Sequence, residues 1–482
     1  MIEPSPRQRM LVLAICCMSL LIVSLDNTVL NVALPSMSRE LHASVAGLQW
    51  TIDAYTLVMA SLLMLAGSTA DRIGRRKVFL AGLVAFSVGS LLCSLAPSLE
   101  WLVVFRMVQA VGGAMLNPVA MSIITNTFTD PGERARAIGV WGAVAGVSMA
   151  AGPLVGGLLV DTVGWRSIFL INLPIGVAAL ALTLRHIPES RAARPRRPDP
   201  VGQLLVIALL GSLTYGIIEG PAEGWRSPLI MSCALVALAS LVSLVLYEAR
   251  REEPLIDLRF FRSAPFSGAT VIAVSAFAGL AGFLFLNTLY LQDVRGLSAL
   301  EAGLYMLPMA VLTTLFAPLS GRLVASRGPR ICLLIAGFAM GSSGLLFALF
   351  EAETSTPLLF TGYVLFGLGF GMVNAPVTNT AVSGMPRSQA GLAAAIASTS
   401  RQTGSTLGVA VIGSVLAAGL ADGSGFSSAA QPAWWIIAVC GLLVLVVGAA
   451  TSGSWARGTA ERTALRLEGP VGPPAEAGAP RV

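Results

Sequence analysis

The sequence predicts an all-α membrane protein of fourteen transmembrane spans, with two six-helix bundles, two extra helices between them and both termini cytoplasmic. Three observations predict it: a composition too apolar for a water-soluble domain, a one-sided distribution of basic residues, and a faint internal repeat. Of the 482 residues, 55% are hydrophobic and 12% charged, and mean hydropathy is +0.78. So few polar groups could not cover the surface of a soluble domain.

The apolar runs lie at 10–34, 48–69, 78–96, 101–124, 137–160, 168–187, 202–219, 228–247, 267–291, 301–324, 331–350, 356–381, 393–420 and 433–454. A helix of about 20 residues, at 1.5 Å rise per residue, crosses a hydrocarbon core of about 30 Å. The first run is too long and intact for a cleaved leader and ends in Leu34-Pro35 with no small-residue cleavage pattern, so it is expected to remain in the protein.

Basic residues in short loops collect on the cytoplasmic side. With the N-terminus inside, only Arg39, Arg166, Arg226 and Arg295 of the 31 Lys and Arg residues fall in outer segments, and only Arg106 and Arg401 fall inside spans. Dropping any one span would invert every later loop and spoil this sorting, so an even number of spans follows. The net charge of +6 is therefore a mark of topology, with no nucleic-acid-binding patch in it. All six cysteines lie in apolar runs without metal-ligand spacing, and neither a disulfide, a metal nor a cofactor is expected.

Three pairs of short segments recur at an offset near 255 residues: Gly67–Lys77 with Gly321–Arg330, Met115-Leu116-Asn117-Pro118 with Met372-Val373-Asn374-Ala375-Pro376, and the loop at Pro131–Ala135 with Pro386–Ala390. A bare six-helix repeat needs only about 180 to 200 residues. The surplus is filled by the seventh and eighth spans. Residues 1–187 are thus expected to form the first bundle, 188–266 two linkers and the accessory helices, 267–455 the second bundle, and 456–482 a polar, disordered tail.

Between spans two and three sits Gly67-Ser68-Thr69-Ala70-Asp71-Arg72-Ile73-Gly74-Arg75-Arg76-Lys77, a charge knot in a chain with few charges. It resembles the signature loop of the major facilitator superfamily of secondary transporters. Together with the segments below it resembles the fourteen-span drug/proton antiporter branch, over residues 8–455. The resemblance implies two bundles rocking about a midplane cavity, with Asp71 bridging loop arginines to a helix N-terminus of the other bundle as an inner-gate latch. Gly67, Asp71, Arg72, Gly74, Arg75 and Arg76 would form that latch. The echo at Gly321–Arg330 lacks the aspartate, so an equal latch from the second half is not expected.

Asp26 lies deep in the first span, in Leu25-Asp26-Asn27-Thr28. An ionised carboxylate there costs several kcal/mol unless it is paired, faces water or carries a proton. Arg106, in Arg106-Met107-Val108-Gln109, is an intramembrane guanidinium that stays charged and needs an acceptor. Resemblance associates both positions with proton coupling, and Asp26 is expected to face Arg106 across a central cavity. Gly139, Gly142 and Gly146 precede Gly152-Pro153-Leu154-Val155-Gly156-Gly157, which resembles the antiporter motif; its small residues allow close helix contact and Pro153 bends the helix. Trp165–Gly176 also resembles the branch and is assigned a structural role at the outer mouth.

Asp53, toward the outer end of span two, either meets a cationic ligand or sits in the interface. Gln109, Asn287, Tyr290, Asn374 and Arg401 are the other candidates for the cavity wall, with Asn379 and Gln402 beside them. Trp434 and Trp435 read as interface anchors. The expected function is export of a small hydrophobic drug or antibiotic in exchange for protons, by a multi-pass, monomeric protein of a bacterial plasma membrane whose partners are the cargo, protons and the lipid bilayer. The alternative on the same fold is an exporter of one endogenous metabolite or siderophore. A lipid-modifying membrane enzyme is disfavoured, because His42 and His186 are the only histidines and no DxD-like or HxxxH pattern occurs.

Overall fold

A computed structural model of the chain describes all residues except 1–4, 193–197, 252, 350–353, 384, 387–388 and 469–482. The basic residues Arg194, Arg196, Arg197, Arg387 and Arg481 of the charge-sorting argument lie outside the described residues. Among the described residues, eighteen α-helices account for the fold. They are α1 (Pro6–Leu41), α2 (Val45–Ile73), α3 (Arg75–Ser94), α4 (Leu99–Thr127), α5 (Pro131–Thr162), α6 (Ser167–Leu170), α7 (Asn172–His186), α8 (Pro200–Glu223), α9 (Pro228–Glu248), α10 (Ala264–Leu289), α11 (Ala299–Tyr305), α12 (Leu307–Arg327), α13 (Arg330–Ala348), α14 (Thr356–Gly371), α15 (Asn374–Val382), α16 (Ala390–Ala421), α17 (Phe426–Thr451) and α18 (Ser454–Glu468).

Among the described residues, fourteen helical crossings are long and apolar enough to span a membrane. An even number puts both ends of the described chain on one side, here termed the loop face because it also carries the Gly74 turn. Three expected spans are interrupted: the sixth divides between α6 and α7, the tenth breaks at Met306 between α11 and α12, and the twelfth breaks at Met372 and Val373 between α14 and α15. Helix ends follow local chemistry. Ser5 and Gln8 form a reciprocal cap on α1, while Ser44, Asp130, Asp199 and Ser227 cap α2, α5, α8 and α9 through their side chains.

α1 to α7 pack into one bundle and α10 to α17 into a second. α8 and α9 pair with each other, and α8 lies along both α2 and α16. Two polar contacts fasten α8 to α2: Gln203 Nε2 donates to the Ser61 carbonyl at 2.5 Å, and Trp50 Nε1 donates to Glu219 at 2.6 Å. α9 turns Leu235, Leu238 and Leu246 outward, as a lipid-facing helix must.

The bundles meet along two main seams, and Gln292 Nε2, just after α10, also donates to the Val32 carbonyl of α1 at 2.8 Å. Gln49 of α2 donates to the carbonyls of Val409 (3.1 Å) and Ala410 (2.8 Å) of α16, and Thr406 of α16 donates to Thr56 (2.9 Å). Farther toward the loop face Met64 joins a buried cluster with Ala393, Ile396 and Ala397. The other seam joins α5 to α11 at the far face, where Asp161 accepts the backbone N–H groups of Ala299 and Leu300 and Gly157 lies against Ala299. Gly139, Gly142 and Gly146 of α5 face open space. The molecule is therefore closed at its far face and parted at the loop face along α5.

The structure differs from the expected disordered tail from residue 456 onward. α18 continues to Glu468, burying Ala456, Ala460 and Thr463, and Thr459 Oγ1 accepts the backbone N–H of Ala264 at 2.9 Å. Small residues at three- and four-residue spacing give this polar segment one packable face. Residues 469–482 of that tail lie outside the described residues. Trp434 also differs: it is buried and stacks on Phe347 in an aromatic cluster with Phe283, whereas Trp435 is exposed as expected of an anchor. The six cysteines are free, and four of them are buried.

Candidate functional site

Five helices of the first bundle converge on Asp26. α1 carries it near its middle, α4 brings Arg106 and Gln109 on one face, three residues apart, α2 brings Thr51 and Tyr55, α3 brings Ser90, and the first residue of α7 is Asn172. Arg106 Nη1 lies 2.5 Å from Asp26 Oδ2, and the two side chains are 1% and 2% exposed. Asp26 Oδ1 accepts from Gln109 Nε2 at 2.8 Å and from Asn172 Nδ2 at 3.1 Å. Arg106 also donates to Gln109 Oε1 (2.7 Å) and to the Thr51 carbonyl (3.2 Å), with its guanidinium 4.2 Å above the Tyr55 ring. Ser90 Oγ accepts from both Gln109 and Asn172.

The expected arrangement, with the two charges facing each other across open space, is thereby corrected. They touch, inside one bundle and away from the seam. Two bare charges in a low-dielectric interior each cost several kcal/mol, and direct contact with further donors on Asp26 Oδ1 recovers most of it. Asn172 and Ser90 are members that sequence reasoning missed; the Trp165–Gly176 run that holds Asn172 is assigned wholly to the outer mouth. Its first part does lie there, with Trp165 Nε1 donating to Glu40 at 2.6 Å and Arg166 paired with Glu40. Asn172, further along the same span, is buried beside Asp26 and Ser90.

The site is tied to both seams. Two and three residues after Asp26, Thr28 and Val29 pack against Gly152 and Gly156 of α5; a β-carbon at Gly152 would lie 2.6 Å from Thr28 Cβ, and one at Gly156 would lie 3.0 Å from the Val29 carbonyl. Gly157 then meets α11. On the other side, the Thr51 carbonyl that Arg106 holds sits between Gln49 and Asp53 on α2, the helix of the second seam.

Asp53 is fully buried at that second seam. Its Oδ1 accepts from Thr56 at 3.3 Å, while its Oδ2 has no hydrogen-bond partner among the described residues. The remaining cavity candidates scatter. Asn287 is buried and accepts from Tyr363 at 2.7 Å, and Tyr290 is buried near it. Asn374 is half-buried at the start of α15, and Arg401 of α16 donates to Ser398 (2.8 Å) and Thr378 (3.3 Å).

At the loop face Gly74 adopts φ +126° between α2 and α3, a conformation that glycine takes without cost. Asp71 accepts from Arg75 at 2.8 Å, Arg76 N–H donates to Glu189 at 3.1 Å, and Arg75 N–H donates to the Ser190 carbonyl at 2.9 Å. Among the described residues the partners of this loop are its own residues, the end of α7 and the segment Glu189–Ala192 that follows it. The expected reach of Asp71 to the opposite bundle is not found among the described residues; its carboxylate pairs with Arg75 instead.

Two six-helix bundles in seam contact, fourteen spans and a buried acid–base pair define the class: a multi-pass membrane transporter of the plasma membrane. The chain belongs to the Major Facilitator Superfamily, whose family model matches residues 16–409. It is 39% identical over 414 residues to the multidrug resistance protein Stp of Mycobacterium tuberculosis, covering 86% of this chain and 77% of that one. It is 37% identical over 403 residues to the tetracenomycin C resistance and export protein of Streptomyces glaucescens, covering 83% and 75%. A crystal structure of a bacterial homologue of the lysosomal transporter Spinster, in an inward-facing and unoccupied conformation, superposes with a TM-score of 0.63 at 20% identity, over 96% of this chain and 99% of that one.

Proposed function

We propose that this protein is a proton-coupled antiporter that exports a small hydrophobic drug or antibiotic, with its termini and the loop face cytoplasmic. The observation that carries the coupling is the buried contact between Asp26 and Arg106. The named activities of the similar resistance and export proteins support the cargo class.

In the state described, Asp26 is held by Arg106, Gln109 and Asn172, the arrangement that suits a carboxylate. A proton taken up from the outside cancels that charge and leaves Arg106 without a counter-ion inside the bundle. Such a loss costs about 3–5 kcal/mol, enough to force Arg106 and its neighbours into new positions. Two routes carry the change outward: Thr28 and Val29 press on α5, and Arg106 holds the α2 backbone at Thr51. Since α2 and α5 form the seams, the charge state of one carboxyl biases which face is open. Release of the proton to the cytoplasm restores the pair and readies the cavity for cargo.

Purified protein in proteoliposomes with an imposed pH gradient tests this directly. Uphill, gradient-driven movement of a hydrophobic dye is expected from the native chain, with downhill exchange alone from Asp26→Asn. An Asp26→Asn protein that still concentrates the dye against its gradient would refute the coupling role.

A further inference from the structure

On the side of α2 turned away from α16, between α2, α3 and α4, runs an open groove of about 170 Å³. Leu62, Leu65 and Ile73 of α2, Ala81 of α3 and Met115 of α4 line it, and Thr69 and Lys77 are its polar residues. The α16-facing side chains Gln49 and Thr56 lie on the opposite side of α2, so this groove faces lipid and is separate from the seam.

Its length is informative. From Leu62 to Ile73 a helix rises about 16 Å, close to the roughly 15 Å depth of one leaflet of a 30 Å hydrocarbon core. The groove ends at the Gly74 turn, where Ile73 is 52% exposed and Lys77, the only lysine of the chain, closes it. Of the neighbouring cations, Arg75 is engaged with Asp71 and Arg76 with the Leu184 carbonyl at 2.5 Å, while the exposed Arg72 does not line the groove. Lys77 has neither a hydrogen bond nor an ion pair among the described residues. A compact ammonium at headgroup depth, above an apolar channel one leaflet deep, matches a phosphate carried on an acyl chain.

We propose that the α2–α3–α4 groove binds an anionic phospholipid of the leaflet bathing the Gly74 loop, with one acyl chain along Leu62–Ile73 and its phosphate on Lys77. The ligand would brace α2 and α3 at the turn that carries the latch residues, so lipid charge becomes an input to the loop-face gate. This site is independent of proton coupling and of the cargo.

The test uses the full chain in phosphatidylcholine vesicles doped with phosphatidylglycerol bearing a photoreactive diazirine on its acyl chain, compared with the same diazirine on phosphatidylcholine. Illumination is expected to place the phosphatidylglycerol label on peptides 62–73 and 111–115. Lys77→Gln should reduce that labelling about fivefold, the effect of one basic side chain at a membrane surface, while Lys77→Arg retains it. Ala81→Trp, which fills the groove, should abolish labelling by either lipid. Labelling spread evenly over lipid-facing helices such as α9, or unchanged by Lys77→Gln and Ala81→Trp, overturns the proposal. Displacement of the label by an exported dye overturns it too, since the groove would then hold cargo.

Discussion

Gly152 of α5 rests directly on the side chain of Thr28 of α1, two residues from Asp26. The contact joins the helix that carries the buried acid to the helix that forms one inter-bundle seam, and it is possible only because residue 152 has no side chain.

That contact predicts an asymmetric mutation series. Gly152→Ala places a methyl 2.6 Å from Thr28 Cβ, and overpacking of this kind costs about 1–3 kcal/mol. Thermal unfolding of the purified protein should drop accordingly, with Thr28→Gly restoring much of the loss in the double variant. Gly139→Ala, which meets open space in this state, should leave the melting temperature unchanged. Equal losses at both glycines would contradict the packing described.

The buried pair predicts a marked double-mutant coupling. Arg106→Gln and Asp26→Asn alone should each destabilise, because each strands a charge in the bundle, by about 3–5 kcal/mol where a partner is removed outright. The combined variant should be more stable than the sum of its parts. Denaturant unfolding of the four proteins in detergent measures the coupling; strict additivity would mean that the two side chains do not interact.

Asn172→Leu removes one donor to Asp26 and one to Ser90 at once. A charged acceptor that loses a hydrogen bond costs about 1.5–3 kcal/mol. Slower gradient-driven exchange is expected at unchanged cargo affinity, since Asn172 touches the acid and lies apart from the seam. A change confined to cargo affinity would assign Asn172 to the cargo cavity.

Gln49 fastens the α2–α16 seam through two carbonyls. Replacing it with Leu removes both hydrogen bonds, worth roughly 1–3 kcal/mol together, and should move the population toward the state open at the far face by about five- to a hundredfold. A cysteine placed at Ala410 should then react faster with a membrane-impermeant maleimide applied from outside. No change in its rate would show that the seam is held by packing alone.

Much of the fold is readable from the chain by itself. Fourteen apolar runs, their sorted arginines and the Gly67–Lys77 spacing reproduce the crossings found in the structure to within a few residues at most ends. Asp26 and Arg106 stand out because a charge in oil is conspicuous in any sequence. Asn172 and Ser90 do not stand out, since uncharged polar residues in membrane helices commonly hydrogen-bond to neighbours and carry no signal of which neighbour. Asp53 was legible as an intramembrane acid but not as a seam residue.

What the sequence alone determined is how many helices cross, where they begin and end, and which of them hold charge; hydropathy, caps and the distribution of arginines are local properties, and the membrane converts them directly into topology. What only the tertiary structure decided is which faces meet: Asp26 on Arg106 within one bundle, Gln49 across the seam, Gly152 on Thr28, and α18 folded back under α10. Each depends on the rotation of a helix about its own axis. In a bilayer that rotation is not fixed by burial of apolar surface, because lipid is as apolar as the helices themselves; it is set by close packing and a few polar contacts between residues far apart in the chain.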